Sequence, residues 1–332
     1  MKNNVTLIFL SLFFTLSSCQ KTMNSEEIYN KTSSGVVLIL NYFYYSVTLP
    51  NGLDFYFTDI NENGELEGFT YDKDEVEKNC GGCTGTGFFI SEDGIILTNR
   101  HVAEPEVSEA VVKSFLKGYK RLLKEYCQEN MQSLQQEFYN YQGNYTAQDA
   151  IAGKYKEYSE MLEEIDDMDM NEADFKTHSK IGIAYNDTHV VKPEDFKPCS
   201  VVAVSEEDDV DLAMIQLDDE VTPEGRYIFK LREGDTQLTL DEKLFMIGYN
   251  LGFSIAKTAK GIRAQVYSGN VTQKDDGIQV LYSIPSHHGS SGSPVVDEYG
   301  NLVAVNFAGF EGTQGFNYGI ALKKVRDFLK DN

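Results

Sequence analysis

The chain has 332 residues, enough for one large or two small domains, and 41% of them are hydrophobic, enough to build a buried core. Its 52 acidic residues face 29 basic ones, for a net charge of −23. A charge of that sign repels phosphate backbones and anionic lipid head groups, which excludes nucleic acid as an expected partner and mainly confers solubility.

The first element is a targeting segment. Lys2 precedes an almost unbroken apolar run from Val5 to Leu16, too short to span a bilayer stably. The run ends at Leu16–Ser17–Ser18–Cys19, which resembles the lipobox of bacterial lipoprotein signal peptides. That resemblance implies removal of residues 1–18, lipidation of Cys19, a tether over 19–26, and an extracytoplasmic protein held on a bacterial membrane. Each acyl methylene adds about 0.8 kcal/mol of membrane affinity, so several chains on one residue make a lasting anchor.

Strand signals begin at Val36–Leu40 and Tyr42–Tyr45, runs rich in β-branched and aromatic residues. A polar excursion from 49 to about 82 follows, with a short aromatic piece at Phe55–Phe57. Gly85–Ile90 and Gly94–Thr98 read as two strands joined by the turn Ser91–Gly94, with His101 just beyond a strand end. Between 106 and 165 the period changes to that of helices. Val112, Phe115, Tyr119, Leu122, Leu123, Tyr126, Leu134 and Phe138 recur three and four residues apart, then Ile151, Tyr155, Tyr158, Leu162 and Ile165 do so. Tyr141–Asn144 is the turn, and Thr146 with Asp149 resembles a capping box. This predicts a helical hairpin inserted in a β domain.

Strands resume at Ile181–Ala184, Val201–Val204 and Asp211–Leu217, closing a first barrel over 27–222. A second barrel, 223–332, is expected to use Lys243–Ile247, Gly261–Tyr267, Ile278–Ser283, Ser293–Val296, Leu302–Phe307 and Asn317–Ala321, and to end in a helix over Leu322–Leu329. The acidic stretch Glu157 to Asp174 lacks the glycine and alternating ligands of a calcium loop and reads as a solvated helix end. No metal site or cofactor is expected, and no particular oligomeric state is predicted. With Cys19 assigned to lipid, Cys80, Cys83, Cys127 and Cys199 form an even set, which outside the cytoplasm predicts two disulfides. Cys80–Cys83 with Cys127–Cys199 is the favoured pairing, cross-pairing the alternative.

Chemistry concentrates at three places. In Gly289–Ser290–Ser291–Gly292–Ser293–Pro294, glycines permit a tight turn that presents a serine hydroxyl and its neighbouring N–H groups. The hydroxyl needs a base, which His101 supplies, and the base needs an acid to fix its tautomer. Asp211, beside an apolar strand, is that acid, with Asp209 as the fallback. Ser291 is preferred to Ser290 and Ser293 because it sits in Gly–x–Ser–Gly. The order His101, Asp211, Ser291 is that of chymotrypsin-type enzymes and excludes an α/β-hydrolase elbow.

The run Gly85–Val102, the Asp211–Leu212–Ala213 strand and the Asn301–Asn306 strand resemble HtrA/Deg-type trypsin-like serine proteases. The resemblance implies a mainly β, chymotrypsin-like double β-barrel with the α-helical hairpin inserted in the first barrel. It also implies a serine endopeptidase acting on polypeptides, in HtrA-like quality control or processing. The resemblance leaves out the hairpin and the PDZ domain common in that family, which the chain is expected to lack. It places an oxyanion hole at the N–H groups of Gly289 and Ser291, and a substrate pocket at Pro285, Ser286, Asn306, Phe307, Ala308 and Gly309. With no acid among those pocket residues, small or medium apolar side chains are expected before the scissile bond. Gly292–Ser293–Pro294 instead resembles glutamyl endopeptidases, making glutamate the second choice, although those enzymes carry histidine where Asn306 stands. Exposed turn residues are the expectation for His287 and His288. A membrane-tethered Cys19 cannot insert as a charged N-terminus, so activity is expected without propeptide cleavage. The competing reading is a non-catalytic binding module or holdase on the same barrels.

Overall fold

A computed structural model describes residues 21–61, 63–234, 237–309 and 317–332; the targeting run and Cys19 lie outside them. Helix α1 (Ser25–Thr32) starts at a capping box in which the Asn24 side chain accepts from the Glu27 N–H and Glu27 returns the bond. Strand β1 (Val36–Thr48) follows, and β2 (Asp54–Phe57) folds back on its end, setting Tyr45 opposite Phe57. The excursion then holds the short pair β3 (Asp59–Ile60) and β4 (Leu66–Glu67) and helix α2 (Lys73–Lys78). Next come β5 (Gly81–Phe89), β6 (Ile95–Thr98) and a single turn, α3 (Arg100–Ala103). The hairpin is α4 (Glu109–Asn140) and α5 (Tyr145–Asp167), after which β7 (Asp174–Tyr185), β8 (Lys197–Val204) and β9 (Ala213–Leu217) complete the sheet.

The sheet order β1–β5–β6–β9–β8–β7 closes because β7 also pairs with β1 across Val37–Thr48, giving a six-stranded barrel with β2 appended. The second sheet contains β10 (Lys243–Gly248), β13 (Gln265–Asn270), β14 (Gln279–Tyr282), β15 (Pro294–Val296), β16 (Leu302–Gly309) and β17 (Asn317–Ala321). Between β10 and β13 lie the turn α6 (Phe253–Ala256) and the small hairpin β11 (Lys257–Thr258) and β12 (Gly261–Ile262). Its order is β13–β10–β15–β16–β17–β14, and an isolated bridge between Val271 and Tyr282 draws the two outer strands together. Helix α7 (Leu322–Asp331) packs Leu322, Val325 and Phe328 inward.

Side chains that alternate along a strand serve different cores. On β1, Val37 and Ile39 join Phe89, Ile96, Ile183 and Ile215 inside the first barrel. Val36 and Leu38 point the other way, into a cluster with Phe88, Leu97 and Met214 of the same barrel and Phe245, Ile247, Val305 and Ile320 of the second. On β10, Leu244 and Met246 fill the second barrel while Phe245 and Ile247 face the first. The two barrels therefore share one continuous apolar interface. The architecture is a mainly β, chymotrypsin-like double barrel with added helices, as expected.

Several local expectations are corrected. Gly261–Tyr267 is not one strand: the Arg263 N–H bonds Ala256 O and the Ala264 N–H bonds Asn186 Oδ1, so the ladder starts only at Gln265. Asn144, not Thr146, caps α5, accepting from the Ala147 N–H at 3.2 Å. The helical stripe is also shifted. Only Val112, Leu116 and Cys127 are buried on α4, while Leu122 and Tyr126 are more than half exposed. The hairpin base docks on Tyr45, Val47, Phe55 and Phe57 of β1 and β2.

The two disulfides are not formed; Cys80, Cys83, Cys127 and Cys199 are free thiols. Cys80 and Cys83 are three residues apart entering β5, so extended backbone sends them to opposite faces. Cys127 is buried in the hairpin, whereas Cys199 packs inside the first barrel with Ile183 and Ile215.

Candidate active site

The site forms where β6 of the first barrel meets the loop before β15 of the second. Thr98, the last residue of β6, is fully buried and donates through Oγ1 to Thr86 O at 2.8 Å. The next turn, α3, leaves terminal carbonyls without helical partners. Asn41, buried in the middle of β1, supplies them, its Nδ2 donating to Val102 O at 3.1 Å and Ala103 O at 2.8 Å. Arg100 bonds Ser205 O, and Asn99 Nδ2 bonds Asp211 O at 2.7 Å. The histidine turn is thus fastened to three separate strands or loops.

Asp211 then grips His101 twice. Its Oδ1 accepts from the His101 backbone N–H at 3.0 Å, and its Oδ2 lies 2.6 Å from Nδ1. A carboxylate on Nδ1 puts the imidazole proton there in the neutral ring and leaves Nε2 as the basic atom. The His101 side chain is 51% exposed and that of Asp211 22%, so the pair sits at the mouth rather than in the core. Asp209, the fallback acid, is exposed on the preceding turn.

The serine loop is stitched to the same place by Thr86. Its backbone N–H bonds Ser291 O at 2.8 Å, and its hydroxyl donates to Gly289 O at 2.8 Å while accepting from the Tyr249 N–H at 3.0 Å. Gly292 adopts φ +82°, and a Cβ there would overlap Thr86 O and Thr98 Oγ1, so only glycine lets the loop approach the histidine strand this closely. Ser290 and Ser293 are buried, whereas Ser291 is partly exposed. Of the three candidate serines, Ser291 alone is presented to solvent.

Gly289 adopts φ +89°, where a Cβ would press on Tyr249 O and Gly252 N. The carbonyl of His288 accepts from the Leu251 N–H at 2.6 Å. Because a trans peptide sets N–H opposite C=O, this bond turns the Gly289 N–H away from the Tyr249–Gly252 loop. Among the described residues, the N–H groups of Gly289 and Ser291 have no hydrogen-bond acceptor. Two adjacent free donors of this kind can stabilise an oxyanion.

The expected pocket is only partly assembled from described residues. Pro285 is exposed, Ser286 and Phe307 are partly buried, and Ala308 and Gly309 pair through their backbone with Tyr318 and Asn317. Asn306 is buried, with its side chain taken up by hydrogen bonds to Tyr282, Ser286 and Ser290. His287 and His288 are exposed beside the loop. Among the described residues no group of three or more His, Cys, Asp or Glu is placed to hold a metal ion, and no helix is long and apolar enough to cross a membrane.

Sequence reading missed Asn41, Thr86, Tyr282 and Asn250. Asn41 left a signal, an amide inside the otherwise apolar and aromatic run 36–45, since a buried amide must be hydrogen-bonded. Asn250, also buried, donates to Pro285 O at 3.3 Å.

No curated protein matches the chain. Residues 172–305 match the family model described as the trypsin-like peptidase domain, a span that holds Asp211 and Ser291 and most of the second sheet. Joined to the double-barrel fold, that match supports a trypsin-like serine protease, a hydrolase of peptide bonds.

Proposed function

We propose that this chain is a serine endopeptidase in which Ser291 attacks the substrate carbonyl and His101 takes its proton. Asp211 fixes the ring with Nε2 free, and the Gly289 and Ser291 N–H groups receive the developing oxyanion. His101 then protonates the leaving amine, and water brought to the same Nε2 hydrolyses the acyl-enzyme. The observation that carries the reading is the double grip of Asp211 on His101, ring and backbone together. A structural ion pair would not need to control which nitrogen holds the proton. The lipobox-like segment ending at Cys19 supports an enzyme tethered outside the cytoplasm, with HtrA-like quality control or processing of polypeptides as its role.

A fluorophosphonate probe tests the mechanism directly. The parent protein should be labelled, Ser291→Ala should not, and His101→Ala should be labelled far more slowly. Equal labelling of parent and Ser291→Ala, or none of either, refutes the assignment, and the absence of labelling in both favours a binding module on the same fold.

A further inference from the structure

The loop that carries Ser291 is held from beneath by a buried cluster without a formal charge. The Ser290 hydroxyl, inside the second barrel, lies 2.7 Å from Ser286 Oγ and donates to His287 O at 2.6 Å. Asn306 reaches the same residue through Nδ2, 3.1 Å from Ser290 O and 3.2 Å from Ser290 Oγ, and also 3.1 Å from Ser286 Oγ. Its Oδ1 accepts from the Tyr282 hydroxyl at 2.8 Å, and Tyr282 is fully buried. The amide orientation is fixed by chemistry, since a phenol hydroxyl can donate to the oxygen and a peptide carbonyl needs the NH₂.

The backbone of Asn306 holds the other side of the loop. Its carbonyl accepts from the Gly292 N–H at 2.8 Å, and its N–H donates to Ser293 O at 2.9 Å. One residue thus brackets Ser291, binding position 290 by its side chain and positions 292 and 293 by its main chain. Burial makes such bonds stiff, because breaking any one leaves a polar group without water. It also removes any need for a counter-ion, since neither Ser290 nor Asn306 is charged.

We infer that Asn306 is a positioning residue that clamps the serine loop with its Gly289 and Ser291 N–H groups in place, so that the oxyanion hole is built in and needs no charged N-terminus to form. The inference rests on the protease reading above. It makes Asn306 part of the frame of the site instead of part of its substrate pocket.

The test compares parent, Asn306→Ala and Ser286→Ala in peptide hydrolysis and fluorophosphonate labelling, with thermal melting in parallel. The parent is also prepared from Gln20 with its amine either free or acetylated. Misplacing an oxyanion donor costs on the order of 10²-fold in kcat. Asn306→Ala should therefore lose about that factor in kcat and in labelling rate, with KM changed by less than about threefold. Its pH profile should keep the parental midpoint, because the His101–Asp211 pair is untouched. Ser286→Ala, which removes one acceptor of the clamp, should lose on the order of tenfold, the equivalent of one hydrogen bond. Free and acetylated parent should react alike. The clamp is overturned if folded Asn306→Ala and Ser286→Ala both react within threefold of the parent, or if acetylation abolishes activity. Should Asn306→Ala fail to fold, Ser286→Ala and the acetylated parent decide the matter. A parent that never labels overturns the protease reading and the clamp with it, whereas a labelled parent with equally reactive variants overturns the clamp alone.

Discussion

Thr86→Val isolates the stitch between the two barrels, because valine keeps the shape and every backbone bond of a fully buried threonine. What it removes is one hydroxyl with two partners, Gly289 O at 2.8 Å and the Tyr249 N–H at 3.0 Å. Each partner left buried without a bond costs roughly 1–3 kcal/mol. Replacing the hydroxyl by a methyl group returns at most about 0.8 kcal/mol. The net loss is about 3 kcal/mol, a large part of a total stability of roughly 5–15 kcal/mol. At about 2–4 °C per kcal/mol for chains of comparable size, melting should fall by on the order of 10 °C. Thr86→Ser keeps the hydroxyl and loses one methyl, which costs about 1 kcal/mol. Thermal melting and urea denaturation of the three proteins read this difference. Because Gly289 O is one of the lost partners, Thr86→Val should also label more slowly with a fluorophosphonate. If Thr86→Val and Thr86→Ser melt within about 2 °C of each other, the hydroxyl is not the stitch.

Asp211→Asn should fold and yet lose kcat on the order of 10⁴-fold, since an amide cannot accept from both His101 N–H groups and favours the wrong tautomer; a loss under tenfold would remove Asp211 from its role. Burial, helped by Lys73 and Lys176 and opposed by Glu77, holds the His178 imidazole below its ordinary value. Folding therefore favours the neutral ring, and this contribution is present above the ordinary histidine range and fades as pH falls through it. Denaturation midpoints between pH 7 and 5 should fall less steeply in His178→Gln than in the parent, and parallel slopes would dismiss the effect. Burial pushes the Cys83 thiol up to about 11 and the Cys199 thiol up to about 12, so Cys199 should react with a thiol reagent only on unfolding; a reductant should leave the melting temperature unchanged. Mass-spectrometric profiling on an unfolded protein should find valine, alanine or leucine before the cut bond, and a dominant glutamate signal would point instead to His287 or His288 as pocket residues.

The parts legible in the sequence are those whose physics is local. Near-continuous apolar runs set β1 and β10, and a change of period marked the hairpin. Glycines that only a tight turn requires exposed the Gly289–Gly292 loop. Ser291 and Asp211 could be chosen over their neighbours because adjacent glycines and an adjacent apolar strand define each setting. The illegible parts depend on partners distant in the chain. Thr86 looks like any strand threonine until it meets Gly289, 203 residues later. Asn41 finds its carbonyls 61 and 62 residues on. The motif around Asn306 says where it lies, not which way its amide turns. The cysteines misled for a related reason, since an even count says nothing of whether two side chains share a face.

The anchorage of α1 bears on the same clamp. The Met23 N–H bonds Glu298 O at 2.8 Å, and Lys31 Nζ bonds Tyr299 O at 2.8 Å, so α1 and the residues just before it are pinned to the turn at 297–300. That turn lies at the far end of β15 from the serine loop. Drawing Met23 toward Ser290 would break these bonds and pull α1 from the second barrel. Ile28, fully buried in the shared core, opposes such a move. The proposed clamp by Asn306 and this anchorage of α1 are therefore independent, because the turn that fastens α1 shares no residue with the bonds that hold the serine loop.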